Sequence, residues 1–177
     1  MHVALMRGLN VGGKNRLPMV ELAAAFEAEG CSDVRTYVQS GNVVFAAPAG
    51  VVEGLADAVA ERLRAVHGIT TPVVLRTGEE IATVVGANPF LARGEDIALQ
   101  HVAFLSGVPA PADVESLDPD RSPPDEFAVV GREVYLHLPG GVGRTRITNA
   151  YLDRRLGVVS TARNWRTVLA LADMAGG

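Results

Sequence analysis

Near the start of the chain lies the stretch VALMRGLNVGGKN, residues 3–15. In it the apolar run Val3–Met6 is followed directly by a loop that contains three glycines. The run predicts a strand from His2 to Met6. Glycine lets the backbone approach a ligand closely, and the loop adds one guanidinium, one ammonium and two carboxamides as donors. No acidic residue occurs before Glu21. The stretch therefore predicts a strand followed by a loop suited to an anion.

The residues after this loop predict two helices and three more strands. Apolar residues recur at helical spacing in two segments, and two short apolar runs flank the tight Ser40-Gly41 connection, which is typical of a hairpin. In chain order we expect a helix from about Pro18 to Glu29, strands Val34–Gln39 and Asn42–Ala46, a helix that ends at His67-Gly68, and a strand Pro72–Thr77. This β-α-β-β-α-β order is the ferredoxin-like arrangement.

In the second half of the chain, the sequence predicts a less regular version of the same order of strands and helices. Strand Ala98–Ser106 precedes a Pro- and Asp-rich stretch, residues 109–124, which replaces or erodes the expected first helix. The remaining expected elements are a helix Glu79–Gly86 capped by Thr77, a hairpin of Phe127–Val130 and Glu133–Leu138, a helix from about Ile147 to Leu156, and a last helix from about Asn164 to Met174 with Thr161 as a candidate cap.

These elements predict an α+β fold made of two differently decorated ferredoxin-like halves with a C-terminal helical extension. We place the first half, with the glycine loop, at residues 1–78. The second, degenerate half with the C-terminal helices takes residues 79–177. The element order suggests a weak internal duplication, without matched residues to support it.

Composition excludes several classes of protein. With 177 residues, 48% of them apolar, the chain can bury a core. Its apolar stretches are far shorter than the roughly 18 residues of a membrane span, and the first residues do not form a secretory signal. We therefore expect a cytoplasmic protein with no membrane partner. A net charge of −4 argues against a general nucleic-acid binder.

Charge is distributed unevenly along the chain. Residues 1–20 carry three basic side chains and no acid, and residues 142–170 carry six arginines against Asp153 alone. Residues 76–126, in contrast, hold ten acids and three arginines. Basic termini favour an acidic ligand near both ends, although Arg154 and Arg155 are interpreted as ordinary solvated surface.

Three motifs together resemble a known bacterial family. They are Arg7-Gly8-Leu9-Asn10-Val11-Gly12-Gly13-Lys14-Asn15, Gln39-Ser40-Gly41-Asn42-Val43-Val44-Phe45 and Thr161-Ala162-Arg163-Asn164-Trp165-Arg166-Thr167-Val168. In order and approximate spacing they resemble the family catalogued as domain of unknown function 1697, over nearly the whole chain. The resemblance implies two differently decorated ferredoxin-like halves. It implies no established activity and supplies no catalytic residues.

The sequence contains few motifs for nucleotide hydrolysis, metal binding or nucleophilic catalysis. Gly8, Gly13 and Lys14 satisfy the G-x-x-x-x-G-K pattern of a nucleotide-triphosphate loop, but Asn15 stands where a Ser or Thr would bind magnesium. The four histidines show no metal-ligand spacing, and no nucleophile motif occurs. We expect no metal site and no cofactor. The sequence leaves open whether the protein is an enzyme, and its catalytic residues are unknown.

From the sequence we hypothesise that the protein binds an anionic small molecule, a nucleotide or phosphometabolite. The glycine loop and the basic start of the last helix would bind it. The expected ligand-binding residues are Arg7, Asn10, Gly12, Gly13, Lys14, Asn15, Asn42, Arg163, Asn164 and Arg166. The same residues also suit ordinary turn and cap chemistry. Two alternatives stay open: an RNA- or DNA-binding module, and a structural or self-associating protein without a ligand. The sequence does not indicate the oligomeric state.

Overall fold

The computed structural model describes residues 1–13 and 15–176, so Lys14 lies outside the described residues. The chain forms two compact units, one of Met1–Ala82 with Leu171 onward and the other of Thr83–Ala170. Its elements are β1 His2–Met6, α1 Met19–Ala28, β2 Ser32–Tyr37, β3 Asn42–Ala46, α2 Ala49–Val52, α3 Leu55–His67, β4 Val73–Thr77, α4 Gly78–Gly86, β5 Gln100–Leu105, α5 Pro111–Glu115, β6 Glu126–Val130, β7 Glu133–His137, α6 Asn149–Leu156, β8 Ser160–Asn164 and α7 Trp165–Gly176. The boundary between two separate halves, which we placed between residues 78 and 79, remains a prediction.

The first unit contains an antiparallel sheet in the order β2-β3-β1-β4. Side chains alternate between the two faces of a strand, so Ala4 and Met6 share one face of β1. They join a core with Phe45, Leu22 of α1 and Leu63 of α3. Because residues 3–6 are all fully buried, β1 has no exposed face.

The second unit repeats this arrangement with different helices. Its strands are antiparallel in the order β6-β7-β5-β8, which matches the first sheet when each strand is counted within its unit. Ala103 and Leu105 of β5 pack with Leu136, Tyr151 and Leu152. The predicted α+β class is confirmed, with two four-stranded antiparallel sheets.

The last helix begins within one residue of its expected start, but its predicted cap is wrong. Thr161, the expected cap, lies in β8 and is buried opposite Phe104 of β5. The helix begins at Trp165, and the Asn164 side chain caps it, since its Oδ1 accepts from the Thr167 N–H at 2.8 Å. Pairing with β5 gives residues 160–164 a ladder of backbone hydrogen bonds along one edge, and this tertiary gain outweighs the local preference for a helix cap at Thr161.

Smaller differences have local causes. The helix that ends at His67 begins at Leu55, after Gly54, where φ is +79°, and residues 49–52 form the separate short helix α2. The Pro-rich stretch keeps a short helix, α5. Thr77 caps α4 as predicted: its Oγ1 accepts from the Glu80 N–H, and the Glu80 carboxylate accepts from the Thr77 N–H. Within the described residues, no helix is long and apolar enough to cross a bilayer.

Gly41 allows the turn between β2 and β3 to approach the end of β1. Its φ is +74°, its carbonyl accepts from the Met6 N–H at 2.8 Å, and a Cβ there would lie 2.8 Å from the Met6 Cβ. We predict that Gly41→Ala lowers the free energy of unfolding by about 2–4 kcal/mol, because a left-handed conformation and overpacking combine. Urea unfolding measures it.

Gly12→Ala is the matched control for this substitution. Gly12 also has a positive φ, +60°, but nothing lies within 4 Å of the position that a Cβ would occupy. We expect a loss of only about 1–2 kcal/mol there, from backbone strain alone. Equal losses at the two glycines would contradict the steric part of this account.

Candidate functional site

The glycine loop consists largely of residues in the left-handed region of backbone conformation. Gly8, Gly12 and Gly13 have positive φ, and so do Asn10 at 54° and Asn15 at 48°. Glycine and asparagine tolerate this region best, so the composition of the loop follows from its path. The φ angles alone account for these residue types.

Two carboxamides of the glycine loop, those of Asn10 and Asn15, make hydrogen bonds that hold the loop together. The Asn10 Nδ2 donates to the carbonyls of Leu17 and Gln39 at 2.9 and 2.8 Å, and its Oδ1 accepts from the Leu17 N–H at 2.8 Å. Asn15 Nδ2 donates to the Gly8 carbonyl at 3.3 Å. Asn10 therefore links the two ends of the loop to the hairpin.

Asn42 has a similar internal role at the start of β3. Its side chain is fully buried, and its Nδ2 donates to the Tyr37 carbonyl and the Ser40 hydroxyl, each at 3.0 Å. Its backbone pairs with Leu5 of β1. The fold thus brings Asn42 beside the first strand, where its amide closes the hairpin.

The outer side of the loop bounds a depression of about 350 Å³. It is lined by Asn10, Gly13, Arg16, Leu17, Pro18 and Gln39. Gly12, Gly13 and Arg16 are exposed, and Arg7 is half-buried, with its backbone N–H donating to the Pro72 carbonyl. The loop therefore offers backbone and one exposed guanidinium to a ligand.

A second depression, of about 340 Å³, lies at the start of α7. Asn164 and Arg166 line it together with His101, and Ile97, Leu138 and Val142 supply apolar walls. The His101 Nδ1 is buried and has no hydrogen-bond partner among the described residues. Burial lowers the pKa of His101, which favours the neutral imidazole.

Arg163 lies on β8 and does not line this depression. Its guanidinium is buried, with one nitrogen donating to the Thr161 hydroxyl at 2.8 Å and to the Ala162 carbonyl at 2.9 Å. Desolvation lowers its pKa to about 10. In the first unit, Arg76 occupies the corresponding strand position: it is buried opposite Val3, as Arg163 is opposite Val102.

The predicted site residues therefore separate into groups. Asn10 and Gly13 share the loop depression in the first unit, and Asn164 and Arg166 share the depression in the second. The predicted contact of all these residues with one ligand stays a prediction.

The second unit contains an ion-pair cluster that the sequence did not indicate. Arg93 donates to both carboxylate oxygens of Glu126, at 2.9 and 2.7 Å, and to Glu95 at 3.0 Å. The Arg93 guanidinium is the main cause that lowers the pKa of Glu126 to about 2. His137 is buried between the two carboxylates, 3.4 Å from Glu95 and 3.6 Å from Glu126.

One ligand atom from each of Glu95, Glu126 and His137 lies within 4.8 Å of the other two, which is a spacing that a metal ion could bridge. Arg93 already neutralises much of the negative charge there, and it would repel a second cation. The geometry favours an ion-pair network. No sequence signal could have found it, because the residues come from three separate segments.

The comparisons with known proteins agree with this fold. A family model described as "Protein of unknown function (DUF1697)" matches residues 1–135, which is most of the chain. The protein belongs to this family, as its motifs suggested, although the motif at residues 161–168 lies beyond the matched region.

Among solved structures, the chain is similar to the conserved bacterial protein SP0830 from Streptococcus pneumoniae. The two are 25% identical with a TM-score of 0.69, over 98% of this chain and 97% of that one. No curated protein matches the sequence significantly. The chain is therefore a member of a conserved bacterial family of unknown function.

The bonds of Asn10 make it a structural residue of the loop. We predict that Asn10→Ala lowers the free energy of unfolding by about 2 kcal/mol or more, because three hydrogen bonds are lost together. Asn15→Ala, which removes one long exposed bond and has a similar φ, serves as the control and should cost about 1 kcal/mol. Chemical denaturation compares the two; a smaller loss for Asn10→Ala than for Asn15→Ala would refute this role.

The Arg93–Glu126 pair predicts a pH dependence of stability. The folded pKa of Glu126 lies below its unfolded value, so its stabilising contribution is present above about pH 4.5 and is lost as pH falls toward 2. We expect Arg93→Gln to raise the Glu126 pKa toward its ordinary value, and the difference in Tm between variant and wild type to shrink on acidification. Carboxyl NMR titration measures the pKa. An unchanged Glu126 pKa in the variant would contradict the pairing.

Proposed function

We propose that the protein binds an anionic small molecule at the start of α7. The observation that carries this proposal is Arg166, an exposed cation in the first turn of a helix, where the dipole disfavours positive charge. Arg166 has no ion pair with a carboxylate among the described residues. An anion at this position would interact favourably with both the guanidinium and the helix N-terminus.

The walls of the depression support a more specific ligand class. Besides Arg166, the depression is lined by His101, whose imidazole is kept neutral by burial. Ile97, Leu138 and Val142 give the rest of the depression an apolar lining. We therefore favour a carboxylate or phosphate attached to a small apolar or ring-bearing group, a class that includes nucleotides and phosphometabolites. A volume near 340 Å³ is at the lower end of the usual range for such sites.

The glycine loop is a second surface with the same preference. Exposed Gly12 and Gly13 permit close backbone approach, and Arg16 adds an exposed charge; Arg7 and Lys14 extend the basic character of the segment in sequence. We also propose that each unit is a ferredoxin-like fold, on the basis of the strand order that both sheets share, and that the protein is cytoplasmic.

A thermal-stability panel tests the proposed function. The ligands are nucleotides, phosphometabolites, small carboxylates and short RNA or DNA, each at constant ionic strength. A ligand at about one hundred times its Kd adds roughly 2.7 kcal/mol to the folded state. We expect one small-molecule class to raise Tm of the wild type, and Arg166→Gln to reduce that rise by most of its value.

Arg146→Gln is the matched control, since it removes the same charge from an exposed side chain that does not line the depression. It should leave the ligand response unchanged. A panel without any response, a response that Arg166→Gln preserves, or a response to oligonucleotides alone would overturn the proposal.

A further inference from the structure

A third depression, of about 340 Å³ and also in the second unit, is lined by three arginines and one tyrosine. They are Arg121, Tyr151, Arg154 and Arg155. The residues that line the depression include no acidic side chain, and none of the three arginines has an ion pair with a carboxylate among the described residues. The depression therefore concentrates positive charge that the described part of the chain does not neutralise.

The position of α6 explains only part of this arrangement. Arg154 and Arg155 lie in the last turn of α6, where the helix dipole favours cations. Arg121 comes from a different segment, residues 118–124, and the dipole of α6 gives no reason for a third cation to converge on the same place. Like charges brought together repel one another, which an anion would offset.

The segment that carries Arg121 is held firmly in this position. The Asp118 N–H donates to the Tyr151 hydroxyl at 2.9 Å, which ties the segment to α6. Ser122 is buried; its hydroxyl donates to Asp125 at 2.7 Å and accepts from the Arg146 N–H at 3.0 Å. Arg121 is thus presented by a fixed backbone, which reduces the entropy lost when it binds a ligand.

Two of the guanidinium groups lie near the aromatic ring of Tyr151. The Arg121 Cζ lies 4.9 Å from the ring centroid and the Arg155 Cζ lies 6.0 Å from the same centroid. Cation–π contact orients the planar groups but leaves their N–H donors at the edges. These edges can make the bidentate hydrogen bonds that arginine forms with phosphate oxygens.

We infer that Arg121, Arg154 and Arg155 form a binding site for the phosphate group of a small molecule. The site does not depend on the proposed function at α7, because the two depressions share no lining residue. Phosphate fits better than a single carboxylate because a dianion with three equivalent terminal oxygens can accept from several guanidinium groups at once.

The test is a titration of ¹⁵N-labelled protein with inorganic phosphate, followed by NMR at constant ionic strength, with chloride as the reference anion. We expect saturable shifts of the Arg121 and Arg155 side-chain resonances. Arg121→Gln and Arg155→Gln should each raise the Kd for phosphate about tenfold or more. Arg121→Lys, which keeps the charge but loses the planar fork, should give an intermediate Kd.

Arg144→Gln is the control, because Arg144 is exposed in the same unit and does not line the depression. It should bind phosphate like the wild type, and Tm values establish that every variant is folded. Equal shifts with chloride, a Kd that the Arg121 and Arg155 variants leave unchanged, or binding to phosphatidylserine vesicles without binding of inorganic phosphate would each overturn the inference.

Discussion

Complete burial of the central strand is the constraint on which each unit depends. Residues 3–6 of β1 and 102–105 of β5 have no exposed surface, and each strand pairs with a neighbour on both edges. A polar group brought next to such a strand must find a partner within the protein, because an unpaired buried donor or acceptor is costly. In the first unit the buried side chain of Asn42, opposite Leu5 of β1, finds such partners in the Tyr37 carbonyl and the Ser40 hydroxyl.

This constraint separates the polar residues of the motifs into two kinds. Asn10, Asn42 and the cap residue Asn164 make defined internal hydrogen bonds, and Arg163 is buried on β8. Arg166, in contrast, is exposed and has no acidic partner among the described residues. A motif rich in Asn and Gly is therefore weak evidence for a ligand, whereas convergent arginines without carboxylates are stronger evidence.

Sequence patterns predicted much of the architecture for physical reasons. Helical periodicity located α1 and α3, the expected bounds of α4, α6 and α7 lie close to the observed ones, and the Ser40-Gly41 turn located the first hairpin, because these signals are local. The strand β8 was missed, since Ser160–Asn164 is polar and its partner β5 lies about sixty residues earlier. The burial of Arg163 had no sequence signal, because desolvating a guanidinium is unfavourable and is not expected from pattern alone.

The candidate sites were less predictable than the fold. Arg166 and Asn164 were chosen as candidate binding residues because they lie near a helix start. His101 lies beside them because it pairs with residue 164 between β5 and β8, and the sequence does not show this pairing. Arg121 was not recognised as a candidate binding residue because its neighbours in sequence are acidic. Arg154 and Arg155 were interpreted as solvated surface. Sites assembled from distant segments depend on tertiary structure, which averages of charge along the sequence do not represent.

Side-chain hydrogen exchange, measured by NMR on the protein without added ligand, tests the central claim most directly. The account predicts that the Nδ2 protons of Asn10 and Asn42 exchange slowly, because both amides are held in internal bonds, and that the guanidinium protons of Arg166 exchange at rates close to those of a solvated arginine. Rapid exchange at Asn10 and Asn42 together with strong protection at Arg166 would contradict it, and would return the ligand-binding role to the carboxamides of the glycine loop.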